Sequence, residues 1–447
     1  MITTAESFRI ERDPLGEKRV PADALFGIQT LRAKESFQIS KLRVHPALIT
    51  AYAEIKLAAA ETNLRNKQLD EDVGKAITRA AREIIDGNWR AQFDLDVFQA
   101  GAGTSYNMNV NEVIANRALD ILGFERGDHE CINPNDHVNK SQSTNDVMPT
   151  AMRITAVRLL RKLIASVDSL ASSFEEKGEE FQKIEKSGRT HLHDAVPMTL
   201  GDEFTAYAAN VRRSCDRLEA AEAPLLEIPL GGTAVGTGVN TKSKYKELAV
   251  KRLSEITELP LREAVNAVQL TQSLGDFVAV SATLRCLAVE LSKIANDLRL
   301  LNSGPHTGLN EIELPAVQPG SSIMPGKVNP AVAEMLNMVC FHVIGHDTAI
   351  TMCGEAGQLE LNVMMPYVAY ALLESLDVMA AAVHTFDEKC VRVIRAHPDQ
   401  CRMYAERTVG KAALHNEELG FMGASELAKK AIESGKSIDE VLAEDRE

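Results

Sequence analysis

The sequence predicts a mainly α protein built around a central bundle of very long helices. Three observations predict it. Ala, Leu, Glu and Lys dominate the 447 residues, while aromatics make up only 5%, with a single tryptophan, Trp89; this mix favours helix over sheet. Apolar residues recur at spacings of three and four over stretches longer than an ordinary helix. The residues that interrupt this pattern gather in four short polar islands.

The elements follow in order. The first 35 residues are turn-rich and polar, with Pro14, Gly16, Pro21 and Gly27, and predict a short hairpin or irregular arm. Helical periodicity begins at Pro46 and runs to Asn66. Residues 99–111 and 128–149 break it with small and polar runs. From Thr150 to Ala195 there is no proline, and Val157, Leu160, Ile164, Val167, Leu170 and Phe174 fall on one helical face. Glu263 to Asn302 behaves alike, through Val268, Leu274, Phe277, Leu284, Leu287, Leu291, Ile294, Leu298 and Leu301, with Gly275 as its weak point. A helix of about 40 residues would be roughly 60 Å long, so it must pack on other long helices, of its own chain or a neighbour's. Another helix is expected from Pro330, with Asn329 as N-cap and Pro330 at the first helical position. One more should run from about Leu359 to Glu388, and short amphipathic helices should fill the tail from Arg392. Three regions result: a mixed N-terminal part (1–142), the long-helix bundle (143–390) and a small helical C-terminal part (391–447).

Composition narrows the function classes. The formal net charge of −14 argues against a grip on nucleic acid or an anionic membrane. Seven cysteines, an odd number with no C-x-x-C pair, make a disulfide framework or a thiolate zinc site improbable. The opening segment MITTAESFRIERD lacks the apolar core of a secretory leader, and no window approaches 18 apolar residues. The expectation is a cytoplasmic protein.

The four islands are Thr104-Ser105, Ser143-Thr144-Asn145-Asp146, Thr190-His191 and Gly320 to Asn329, each beside an expected helix end. They offer hydroxyls, amides and one imidazole, the groups that bind carboxylates without a metal. In the fourth, two glycines bracket a segment that opens with Ser321 and Ser322, so it can hinge over a ligand. Lys327 adds a point charge before a helix N-terminus. Plainer readings stand beside these: Asn329, Ser143 and Asp146 as helix caps, and His191 as a structural histidine. The run from Gly320 to Lys327 is not a P-loop, because five residues separate its glycines and Val328 stands where Ser or Thr would bind magnesium. The glycines from Gly231 to Gly238 lack the third glycine and the strand–helix context of a dinucleotide site.

Residues 320–330, GSSIMPGKVNP, resemble the signature of the fumarase/aspartase superfamily. GAGTSYNMNVNEVIANRAL (101–119), NPNDHVNKSQSTNDVMPTAMRI (133–154), GRTHLHDAVPMTLGDEF (188–204) and GGTAVGTGVN (231–240) resemble further family blocks, in family order. Within the superfamily SQSTND (141–146), SGPHTGLNEIELP (303–315) and GEAGQLELNVM (354–364) are more similar to the aspartase branch than to class II fumarases. Tyr106, His193, His306, Met365 and the tail ALHNEELGFM (413–422) depart from the pattern.

The resemblance implies a cofactor-free and metal-free lyase acting on a C4 dicarboxylate. It implies loss of ammonia from aspartate to give fumarate, with hydration of fumarate, or a lyase reaction on another substituted succinate, as rivals. It implies a proton abstraction that leaves a carbanion stabilised as an aci-carboxylate. Carried over by motif, the catalytic set is Ser321 as base, His191, Lys327 and Glu334. The substrate-binding set is Thr104, Ser105, Ser143, Thr144, Asn145, Thr190, Ser322, Met324 and Asn329. The resemblance also implies a homotetramer with a shared helical core, each site drawing on three subunits.

Overall fold

The structure, a computed structural model, describes residues 7–445; Met1 to Glu6, part of the segment read for a leader, lie outside it. In chain order, β1 (Phe8–Asp13) and β2 (Gly16–Pro21) form an antiparallel hairpin. Helices α1 (Ile28–Ser36), α2 (Pro46–Arg65), α3 (Glu71–Ile85), α4 (Thr104–Leu122) and α5 (Thr144–Glu180) follow. A second hairpin, β3 (Glu185–Thr190) with β4 (His193–Thr199), leads into α6 (Leu200–Leu225). Next come β5 (Glu227–Ile228), α7 (Tyr245–Thr257), β6 (Arg262–Glu263), α8 (Ala267–Gln272), α9 (Gly275–Leu301) and β7 (Ile312–Glu313). The last elements are α10 (Ala331–Glu355), α11 (Met365–Lys389), β8 (Arg395–Ala396), α12 (Pro398–Arg407), α13 (Asn416–Ser434) and α14 (Ile438–Glu444). Among the described residues strands pair only in twos, so the fold is mainly α. Its longest helix, α5, has 37 residues and spans about 55 Å.

The chain forms two compact units. The first comprises Met1–Lys162, Leu218–Leu284 and Ile344–Asp377; the second comprises Leu163–Arg217, Arg285–Val343 and Val378–Glu447. In the first unit α2 is buried almost all round, and its alanines Ala51, Ala53 and Ala58 to Ala60 let neighbouring helices approach closely. Arg153 is buried there too, paired with Asp276 at 2.6 Å and stacked over Phe277. The Glu112 carboxylate accepts from the backbone N–H groups of Gly27, Gln29 and Thr30 at 2.8–3.0 Å. It thereby satisfies the open N-terminus of α1, which has no side-chain cap of its own. The second unit is centred on Phe174, Phe181, Phe204, Tyr207 and Phe386, with ring centroids 5.1–6.4 Å apart. A satellite cluster of Leu427, Ala431, Ile438 and Val441 holds the last two helices. A capping box, Ser437 with Glu440, starts α14.

Several expected boundaries move. Residues 104–111 are helical, not a break: Asn107, Asn109, Asn111 and Glu112 are buried polar groups that hid the apolar period. The stretch from Thr150 does not stay helical to Ala195; α5 stops at Glu180 and residues 185–199 form the β3–β4 hairpin. The expected helix over 263–302 is cut at extended Ser273, whose hydroxyl accepts from Gly275 N–H and opens α9. Pro330, not Asn329, gives the carbonyl that closes the first turn of α10; the Asn329 carbonyl accepts from Ala331 N–H, and its side-chain amide donates to the Gly320 carbonyl. Helix α11 begins at Met365 rather than Leu359, since Asn362 folds the preceding segment back onto the carbonyls of Cys353 and Gly354. Contrary to the sequence reading, one segment, Met365–Val393, is long and apolar enough to cross a membrane by length and composition; 67% of its apolar window is buried, as in a core helix.

Candidate active site

The first unit contains a cavity of about 440 Å³ where two helices begin. Thr104, the first residue of α4, and Thr144, the first of α5, both line it, so two positive helix ends lie at one space. The remaining wall carries no charged side chain: Gln29, Asn107, Asn135, Asn139, Ser141, Gln142, Ser143, Thr233 and Asn240 are polar, and Met108, Ala234 and Val239 are apolar. Such a lining receives an anion through hydrogen bonds while the chain as a whole is acidic.

Beneath this wall lie two buried ionic groups. The Lys56 ammonium donates to the side-chain oxygens of Asn107, Asn139 and Gln142 at 2.7, 2.9 and 3.0 Å. Burial pulls its pKa down to about 7, partly opposed by the Asp146 carboxylate. Asp146 accepts from the N–H groups of Ser143, Gly231 and Thr233 at 2.9–3.0 Å. Burial nonetheless pushes it up to about 6, the N–H groups and Lys56 opposing. Asp146 thus clamps the glycine loop 231–240 onto the start of α5, and Asn145 adds a bond to the Ala234 carbonyl at 2.8 Å.

The predicted residues of this unit divide. Thr104, Ser143 and Thr144 share the cavity. Ser143 is also a helix cap: its Oγ accepts from Asn145 N–H while Asp146 receives its own N–H, so the plainer reading of both residues holds as well. The Asn145 amide is spent on the glycine loop. Ser105 lines a neighbouring cavity with Arg32 and Asp13. Tyr106 is only 2% exposed and packs in the core, away from the lining. Sequence reasoning missed Lys56 and the amides Asn107, Asn139 and Gln142. A lysine set inside an apolar, alanine-rich helix was the available signal. In this unit His346 Nδ1 also lies 3.3 Å from Glu374 Oε2, a pair with metal-ligand chemistry that does not line the cavity.

The second unit carries the other islands. Thr190 ends β3, and His191 and Leu192 form the two-residue turn, with φ of 55° and 61°. Two non-glycine residues in the left-handed region cost of order 1–3 kcal/mol each, and such strain gathers at functional sites. The hairpin is pinned at its base by Glu311, fully buried, which pairs with Lys186 at 2.9 Å and with both arms of Arg189 at 2.9 and 3.1 Å. Glu311→Gln leaves Arg189 without its carboxylate and Lys186 with Glu203 as its remaining anion. It should destabilise the protein by about 3 kcal/mol, read as a lowered denaturant midpoint at unchanged slope; an unchanged midpoint would remove Glu311 as the anchor.

Gly320 to Asn329 forms an exposed loop closed by Gly320 N–H to the Lys327 carbonyl at 2.9 Å and by Asn329 Nδ2 to the Gly320 carbonyl at 2.7 Å. A Cβ on Gly320 would meet the Lys327 carbonyl oxygen at 2.6 Å, so the closure requires glycine. Ser321 Oγ accepts the backbone N–H groups of Ile323 at 3.3 Å and Met324 at 3.0 Å. Ser321, Met324 and Lys327 border one shallow pocket of the loop; Ser322 does not. Lys327 is exposed and has no ion-pair partner among the described residues. Glu334 sits in the first turn of α10, and within one chain it makes no ion pair with His191.

Residues 16–345 match the lyase family, and the chain belongs to it, within the fumarase/aspartase superfamily. The chain is 47% identical over 438 residues to the aspartate ammonia-lyase of Bacillus subtilis (strain 168), covering 98% of this chain and 92% of that protein. Among solved structures it is similar to the fumarate lyase:delta crystallin of Brucella melitensis bound to cobalt, with a TM-score of 0.94 and 49% identity over 98% of this chain and 96% of that one. It is also similar to the class II fumarase of Schistosoma mansoni, with a TM-score of 0.94 and 32% identity over 98% and 95%.

Proposed function

We propose that this chain is an aspartate ammonia-lyase, catalysing the reversible anti-elimination of ammonia from L-aspartate to give fumarate. The observation that carries the reading is a contrast in identity: 47% to an aspartate ammonia-lyase, against 32% to a class II fumarase of the same fold. Offered L-aspartate, the protein should produce the ultraviolet absorbance of fumarate; formation from L-malate but not L-aspartate would make it a hydratase.

In the mechanism, Ser321 Oγ removes a proton from the substrate's Cβ. The electron pair moves into the adjacent carboxylate as an aci-carboxylate, and then expels the amine as the C–N bond breaks. A serine is a weak base, and its alkoxide needs donors. The N–H groups of Ile323 and Met324 already point at Oγ and supply them. Lys327, the second N–H of Asn329 and the start of α10 meet the charge that develops on the carboxylate. Ser322 and Met324 complete the loop side. Thr104, Ser143 and Thr144, with Thr190, hold the second carboxylate and the amino group, and Ser105 and Asn145 support them from behind. His191 contacts the substrate and is oriented by Glu334 of another subunit.

This reading includes a homotetramer in which three subunits build each site. One feature supports it: Met338, Phe341 and Met352 lie on one stripe of α10 and are 61–67% exposed. Such a stripe on a long helix suits burial against another copy. Light scattering should give about four times the 48.8 kDa subunit mass. A fully active monomer would contradict shared sites.

A further inference from the structure

A carboxylate pocket walled by neutral groups works only if its hydroxyl hydrogens point inward, and a free hydroxyl rotates to suit any neighbour. Lys56 removes that freedom at one wall residue. Its ammonium is fully buried below the cavity and carries three donors and no acceptor. Each donor meets an amide oxygen: Asn107 at 2.7 Å, Asn139 at 2.9 Å and Gln142 at 3.0 Å. An amide facing an ammonium must turn its oxygen towards it, so chemistry alone fixes the orientation of Asn107. Its NH₂ group then faces away from Lys56, donating to Thr144 Oγ1 at 3.0 Å and to Asn139 Oδ1 at 3.2 Å. An NH₂ group cannot accept, so Thr144 cannot donate back. Thr144 lines the cavity, and its one hydroxyl hydrogen is left for whatever the cavity holds.

We propose that Lys56 is a positioning residue of the carboxylate pocket: through Asn107 it fixes the Thr144 hydroxyl as a donor to the bound dicarboxylate. The proposal rests on the reading that this cavity binds a substrate carboxylate. Lys56 acts through a neighbour and does not itself line the cavity. The carboxylate whose charge it feels, Asp146, is engaged by three backbone N–H groups. The ammonium's own hydrogen bonds all go to neutral amides, so its positive charge also favours an anion above it.

The test is a double-mutant cycle on the full-length protein, read by calorimetric titration with succinate, a saturated C4 dicarboxylate that cannot eliminate. Thr144→Val removes the donor, and Lys56→Met removes the ammonium at similar side-chain length. Each single variant is expected to weaken succinate binding by about ten- to a hundredfold, the loss of one hydrogen bond to a charged group. The double variant should be no weaker than the weaker single, because both changes remove the same donor. A merely structural role for Lys56 would lower thermal stability without this coupling. Should circular dichroism show Lys56→Met unfolded, Asn107→Leu takes its place in the same cycle, with the same expected coupling. Unchanged affinity in Thr144→Val, or no binding by the wild type, overturns the pocket reading. Weakened binding in Thr144→Val with unchanged or multiplicative effects of Lys56→Met overturns the role of Lys56 alone.

Discussion

Ser321→Ala is expected to lower kcat by about 10²–10⁴-fold, the usual contribution of a positioned general base. The KM for aspartate should change little, because the hydroxyl is used in proton abstraction rather than in ground-state binding. The fold should survive. Ser321 lies in an exposed loop, and its Oγ makes only the two local backbone bonds to Ile323 and Met324. Losing that small turn costs on the order of 1 kcal/mol. The variant should therefore retain the wild-type circular dichroism spectrum and oligomeric mass. Near-wild-type turnover would remove Ser321 as the base, whatever its place in the motif.

The second large effect is expected at Lys327. Its ammonium is exposed in the single chain, yet it stands three residues before Pro330, whose carbonyl closes the first turn of α10. A cation there adds to the positive end of the helix, and in the proposed mechanism both act on the same carboxylate. Lys327→Ala should lower kcat about 10²–10³-fold, as loss of a preorganised donor to a developing oxyanion does. It should also raise KM, since the carboxylate is already charged in the ground state. An unchanged KM would contradict the carboxylate assignment. The pair is diagnostic: the proposed mechanism uses Ser321 in the transition state alone and Lys327 in both states.

The long helices were legible in the sequence because each keeps an apolar face over many turns. The helix expected over 150–195 is present as α5 up to Glu180, and that expected over 263–302 is present as α9 from Gly275 to Leu301. What failed was local. Asn107, Asn109 and Asn111 made the start of α4 read as a loop. Their side chains are polar but buried: Asn107 bonds to Lys56 and Thr144, Asn109 to the Gln92 carbonyl, and Asn111 to the Met108 sulfur. The β3–β4 hairpin was missed because Leu192 and His191 form its turn where Gly or Asn would have announced it. Of the four islands, the first two supply walls of one cavity, and the glycine loop 231–240, set aside as a nucleotide motif, completes that wall. Lys56 was illegible for a different reason. A lysine on a helix ordinarily reaches water along its stem, and only the three-dimensional fold shows that α2 has no wet face there.

The central claim is that the site adds ammonia, and not water, to fumarate. The most direct measurement follows loss of the ultraviolet absorbance of fumarate by the purified protein, with and without ammonium. The account predicts loss only with ammonium, with L-aspartate as product. Equal loss without ammonium, with L-malate formed, would contradict it and assign the same residues to a hydratase.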